Sequence, residues 1–439
     1  LAGQIFGDHE DLAPGTRRLE RRTGNPGRDP RDSALLREAW LQWRSPIGLV
    51  GVGQTLSAYG LGILANDGRD DDERFGLARH GDVVDRVLFA TRPFARRNGP
   101  ARPADALALF VAGDLVFRDE NARLVDGDLA FQVSGGAAFR HPDFDNAVVV
   151  SWRRQRDDDR DLLEVTAIDV HGRNRVALPI ARSADPDGRP RAFDTTLHLD
   201  YEAVLLVGRT TRFRDVTAPD GLDILSGGAV GRLAWDLARP GVRVAVEAGY
   251  ASGDGDPYDD RATAFFMDPD WHVGLVFFPE MLPRITARAI AQVSDPARVA
   301  VPPKGADLTA SQGRVTGAAY LHPTVRWRRP LPTGPDDEVR LLAGAVALWT
   351  ATPLAQAWNT FLAGGAATNH LGGRTGSRYV GTEVLAAAQV RVSAVPDHLA
   401  FRVRLEGGVL VPGGALEAAD GALPDPAWKV QVAAAVQWQ

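Results

Sequence analysis

The stretch Trp428-Lys-Val-Gln-Val-Ala-Ala-Ala-Val-Gln-Trp-Gln439 decides the fold. Taken at every second residue, Trp428, Val430, Val432, Ala434, Val436 and Trp438 form a wholly apolar face, and Lys429, Gln431, Ala433, Ala435, Gln437 and Gln439 a polar or small one. A side-chain period of two is that of a strand. An aromatic stands near each end of the apolar face. In a soluble sandwich that face meets a second sheet. In a membrane barrel it meets lipid, with the aromatics at the interfaces and the polar face towards the lumen.

The rest of the chain chooses between these homes. Strands are predicted at Leu35–Trp43, Ile47–Leu64, Asp82–Arg92, Ala104–Phe117, Gly127–Arg140, Ala147–Arg156, Leu162–His171, Ala192–Thr211, Leu222–Asp236 and Gly241–Ser252. The pattern continues at Trp271–Phe278, Ile285–Val293, Gly313–Arg328, Val339–Thr350, Tyr379–Ala394, His398–Val411 and Trp428–Gln439, with no convincing helical period. If the last strand runs inward, long connections such as Asn66–Gly81, Gly253–Asp270 and Thr352–Arg378 fall outside. Short ones such as Arg44–Pro46, Leu237–Pro240 and Val395–Asp397 fall on the periplasmic side. Outer-membrane barrels require this alternation, and a soluble β protein does not. Asp157–Asp161 is short for an outside loop, and Gly172–Pro190 long for a periplasmic one.

The expectation is an all-β chain, residues 1–439 forming a single transmembrane antiparallel up-and-down β-barrel of about 18 strands (16–18), with short periplasmic turns and long extracellular loops. Even parity makes Leu1–Phe6 the stub of a first strand that begins before Leu1. Trp438 is penultimate where such barrels usually end on an aromatic, so the chain is expected either to continue beyond Gln439 or to stop there at the edge of ordered structure; to close the barrel, the last strand is expected to pair with residues at and before Leu1.

Composition agrees. No apolar run reaches the roughly 18 residues of a spanning helix. Cysteine is absent, which suits an envelope compartment, and a formal charge of −6 argues against nucleic acid as partner. The nine His are scattered, and neither G-x-S-x-G nor H-E-x-x-H occurs, so no enzyme is expected.

The polar faces carry Arg86, Arg154, Arg243, Arg314, Arg326, Arg340, Arg391, Arg402 and Arg404, against Asp200, Glu202, Glu247, Glu383 and Glu406. Two readings stand side by side: a positive lumen that favours anions, or Arg–carboxylate ladders that stiffen the wall.

Between Gly249 and Phe278 the chain reads G-Y-A-S-G-D, an Asp-rich loop, then F-F-M-D-P-D-W. Asp254, Asp256, Asp259 and Asp260 read as a solvated acidic loop; Asp254 and Asp256 are also a candidate Ca²⁺ site, though the EF-hand spacing is missing. Phe265, Phe266 and Trp271 are candidates for a constriction or a loop anchor. This segment, with the strand count, resembles the alginate-export type of outer-membrane barrel. The resemblance implies a conduit for an anionic extracellular polysaccharide in a Gram-negative outer membrane, fed by a periplasmic export partner. The alternatives are a general or solute-specific diffusion porin, and a structural or adhesive barrel with a plugged lumen.

Overall fold

The computed structural model describes residues 37–438 apart from 70, 72, 78–80, 96–105, 185–189, 238–240, 257–258, 335, 375 and 396–397. Its framework is one 16-stranded sheet. The strands are β1 (Ala39–Ser45), β2 (Gly48–Ser57), β3 (Asp82–Thr91), β4 (Leu107–Arg118), β5 (Leu129–His141), β6 (Phe144–Arg156), β7 (Leu162–Ala184) and β8 (Pro190–Thr210). They continue as β9 (Leu222–Asp236), β10 (Val242–Ala251), β11 (Arg261–Ala262), β12 (Ala318–Pro330), β13 (Glu338–Thr350), β14 (Tyr379–Val395), β15 (Leu399–Pro412) and β16 (Ala427–Trp438). All but the two-residue β11 lie on a single up-and-down path of antiparallel neighbours, and β11 adds to β9 in parallel.

The two faces separate as period-two patterning requires. On β16, Trp428, Val430, Val432 and Val436 are exposed, while Lys429 and Gln431 turn inward to Glu280 (2.9 Å) and Glu406. On β15, Phe401, Val403, Leu405, Val409 and Val411 are exposed, and Arg404 and Glu406 are buried. Contiguous exposed apolar surface on this scale is not that of a soluble monomer. It is the lipid-facing wall of a transmembrane barrel, with exposed aromatics towards both ends of the strands: Trp349, Tyr379 and Trp428 near the long loops, Trp43, Trp235 and Phe144 near the short turns. The inner face of the wall carries buried Asp, Glu and Arg beside apolar side chains, a far higher share of buried charge than a soluble core holds.

Inward side chains from distant strands meet the same loop residues, so the sheet curls around a filled interior: Glu202 on β8, Glu247 on β10 and Glu406 on β15 all bond to residues 61–76. β1 and β16 run in the same direction along the path. An antiparallel seam between them needs one more strand; the expected stub Leu1–Phe6 lies outside the described residues.

Three expectations are corrected. Trp271–Phe278 and Ile285–Val293 are not strands. The first is an irregular segment ending in a π-helical turn (Phe277–Met281), and the second belongs to helix α1 (Leu282–Val293). Pro283 in the first turn, and Leu282, Ile285 and Ala289 along one stripe, are the helical signals the strand reading overrode. Because two strands drop out together, the direction of every other strand is unchanged. The long connection expected at Gly172–Pro190 is instead an extension of the β7–β8 hairpin, 23 and 21 residues long. That is about twice the ~9–11 residues a tilted strand needs to cross a bilayer.

Arg154 is the third correction. Adjacent residues of a strand cannot share a face, and Val148, Val150 and Trp152 set the outer one, so Arg154 points out. Arg153 is the inward arginine, bonded to Asp119 and Gln155.

Candidate functional site in the lumen

Two connections that the strand order places on the long-loop side fold back into the barrel. Loop A is residues 58–81 between β2 and β3. Loop B is residues 252–317 between β10 and β12 and includes β11 and α1.

Each loop is held by one inward glutamate. Glu202 Oε2 accepts from the backbone amides of Leu61, Gly62 (2.8 Å) and Ile63 (3.4 Å) of loop A. Glu383 accepts from those of Leu275, Val276 (2.8 Å) and Phe277 (3.3 Å) of loop B. Successive amides can converge on one carboxylate only where the chain turns sharply. Beside each latch is a glycine in the left-handed region, Gly60 (φ +58°) and Gly274 (φ +73°). A Cβ on Gly60 would stand 2.5 Å from Glu202 Oε2, and one on Gly274 2.7 Å from Glu383 Oε2, so glycine is required twice over.

Loop A is then laced to the wall by charge. Glu73 receives Arg232 (2.7 Å) from β9, Arg243 (2.7 Å) from β10 and Arg326 from β12. Burial pushes the Glu73 carboxyl up, but these three cations outweigh it and hold it below the usual carboxylate range. Arg74 bonds to Glu247 (2.6 Å) and lies 3.5 Å over the ring of Trp271. Gly76 N–H meets Glu406 at 3.3 Å, and Gly81 N–H meets Asp270 of loop B at 2.7 Å.

Loop B is anchored by apolar burial. Phe265, Met267, Trp271, Val273, Leu275 and Phe278 are at most 2% exposed, packed with Tyr320, Val346, Leu348, Val380 and Leu410 of the wall and with Ile63 and Phe75 of loop A. The hydrophobic core of the molecule thus lies inside the barrel, between loops and wall.

The residues expected in the lumen fall out as follows. Arg86 pairs with Asp114 (2.7 Å), Arg340 with Glu338, and Arg404 with Glu406 (2.5 Å). Arg243 pairs with Asp236 (2.6 Å) as well as Glu73. Arg391 and Arg402 are half-buried on the inner faces of β14 and β15. Glu247, Glu383 and Glu406 are buried as ligands of the loops. Arg314 lies in loop B rather than on a strand, buried under the Phe266 ring (4.4 Å) and bonded to the carbonyls of Ser311 and Ala310 (both 3.1 Å). Of the aspartates, Asp254 is half-buried and accepts from the amide of Asp256 (3.1 Å), while Asp256, Asp259 and Asp260 are exposed. Among the described residues, the carboxylates that converge in a group of three are different ones: Asp82, Glu120 and Asp268. Phe265 and Trp271 are core anchors of loop B, and Phe266 faces the interior space.

That space is a cavity of about 550 Å³ between the inner faces of β3–β9 and loop B with α1. Arg153 and Arg212 line it, tied to Asp119 and Asp157 (2.8 Å). Glu73, Arg74 and the three converging carboxylates escape sequence reading because their partners lie far away in the chain. Local sequence shows only an acidic run, D-D-D-E-R.

No family model matches the chain, and no curated protein matches it. Among solved structures it is similar to Pseudomonas aeruginosa OccK11 (OpdR), at 11% identity and a TM-score of 0.39, over 93% of this chain and 82% of that one. The fold assignment rests on strand pairing and on the two faces of the wall.

Proposed function

We propose that the protein is a solute-conducting channel of the bacterial outer membrane, a diffusion porin whose passage is set by two inward loops. The observation that carries this reading is the interior itself. An apolar outer wall encloses charged strands, and loops A and B narrow the lumen while leaving a polar-and-apolar space of about 550 Å³. A space of that size suits small solutes.

Paired arginines give an anionic polymer little net attraction. The excess of Arg on the strands is met by Asp236, Glu338 and other carboxylates of the wall and by Glu73 of loop A. Inner-wall arginines so paired act as ladders, and an extended polysaccharide needs loops A and B to leave the lumen. Single-channel recording with the purified protein in planar bilayers tests the reading. Discrete steps unaffected by added polyuronate support a solute channel. Steps blocked by polyuronate return the polymer conduit, and absence of conductance returns the plugged barrel.

A further inference from the structure

The inner wall has two halves that differ in how their apolar residues are covered. Beneath loop B, inward side chains such as Val346, Leu348 and Leu410 are at most 1% exposed. On β7, β8 and β9, the inward residues Leu163, Val165, Leu206 and Ile224 are only half-buried and line the cavity of about 550 Å³. Loop B brings Phe266, Ile285 and Leu308 to the same space, also half-buried. Apolar surface of the wall and apolar surface of loop B thus border one cavity that, among the described residues, neither fills.

The charged groups on the lining are already matched within the protein. Arg153 pairs with Asp119, and Arg212 with Asp157 (2.8 Å). Arg314 lies on the Phe266 ring and bonds to the carbonyls of Ser311 and Ala310. Arg153 and Arg314 also offset the charge of Glu120, and Arg153 that of Asp82. An ionic ligand would have to break such a pair or enter uncompensated, which is costly at a buried site. The apolar lining, by contrast, has no partner. Apolar surface held against water is unfavourable in proportion to its area, and an apolar ligand that covers it recovers that free energy. Size limits the occupant: small-molecule sites span about 300–1,000 Å³ and are lined mainly by apolar side chains. Phe266 adds a ring to the lining, so an aromatic ligand gains a ring–ring contact as well.

We propose that this cavity is a binding site for a small neutral aromatic molecule, of one ring or two fused rings, held between Val165 and Leu206 of the wall and Phe266 and Ile285 of loop B. The inference rests on the channel reading and deepens it by naming the class of solute that pauses in the passage.

Binding is measured on the full chain in detergent micelles, without conduction. The probes are indole, its anionic analogue indole-3-acetate and its cationic analogue tryptamine, each by calorimetric titration against protein-free micelles of the same detergent. Saturable binding of indole is expected, with both charged analogues weaker by about tenfold or more, because the charge they carry finds no free partner. The double variant Val165→Thr/Ile285→Thr keeps the shape of the lining and sets hydroxyls against the ligand. It should weaken indole by about tenfold, the scale of a polar group placed against an apolar one. The variant Ala289→Trp fills the space from α1 and should abolish saturable binding, and because the two variants alter different positions, one reports on the site even if the other fails to fold. No saturable indole binding, equal affinity for the three probes, or indole binding unchanged in both folded variants overturns the proposal. Conductance without indole binding overturns this site alone, and indole binding without conductance overturns the channel reading alone.

Discussion

Loops A and B do the same work by opposite physics. Both enter the barrel, and a single glutamate receives consecutive backbone amides of each. Beyond that latch, loop A is tied by buried ion pairs centred on Glu73 and Arg74, and loop B by an apolar cluster around Phe265 and Trp271. Ion pairs fix geometry but give little net stability, because desolvation consumes most of the Coulomb attraction; apolar burial gives stability with little directional preference. Loop B is therefore expected to be the permanent lining of the lumen, and loop A the element that responds to pH and charge.

The largest expected effect is on the apolar side. Phe265→Ala removes a fully buried ring and should cost about 3–5 kcal/mol, read as a lowered denaturation midpoint in detergent, with new protease cleavage confined to residues 252–317. On the charged side, Glu73→Gln leaves Arg232, Arg243 and Arg326 facing one another. It should cost about 3 kcal/mol of loop A stability, visible as faster amide hydrogen exchange in residues 58–81 while loop B keeps its protection.

The same group fixes a pH response. The folded Glu73 carboxyl sits below its unfolded value, so its contribution is present at neutral pH and lost as pH falls through that lowered value. Loop A exchange should accelerate below the ordinary carboxylate range and loop B exchange should not. Equal acceleration in both loops would erase the contrast between them. The smallest effect separates two neighbours: Arg153→Gln should destabilise the inner wall by about 1–3 kcal/mol, and the outward Arg154→Gln by under about 0.5 kcal/mol in the same denaturation experiment.

The wall was legible in the sequence because alternation is a local signal. Trp428–Val436 and Phe401–Val411 show both faces without reference to any partner, and the long–short rhythm of connections supplies the strand order. Loop B was not legible. In Trp271–Phe278 burial on every side removes periodicity, and Ile285–Val293 offers Ile, Ala and Val residues whose strand-like composition masks a helical stripe. The lumen was half legible. Inward residues such as Glu247 and Glu406 follow from parity, but what they bind does not. Glu73 lies 170 residues from Arg243 in the chain, and nothing in the local sequence D-D-D-E-R distinguishes it from the aspartates before it. Arg86, Arg340 and Arg404 meet carboxylates of the strands themselves, while Arg243 and Arg326 also meet Glu73, which belongs to a loop.

The most direct measurement is single-channel conductance of the wild type beside Glu383→Gln in planar bilayers. Replacing the carboxylate weakens three charge-assisted bonds to loop B, at a cost of about 2 kcal/mol, without altering the wall. The account predicts small discrete steps for the wild type and larger, noisier openings for the variant as loop B loosens from the lumen. Silence from both proteins, or identical steps, would contradict the claim that the inward loops set an open passage.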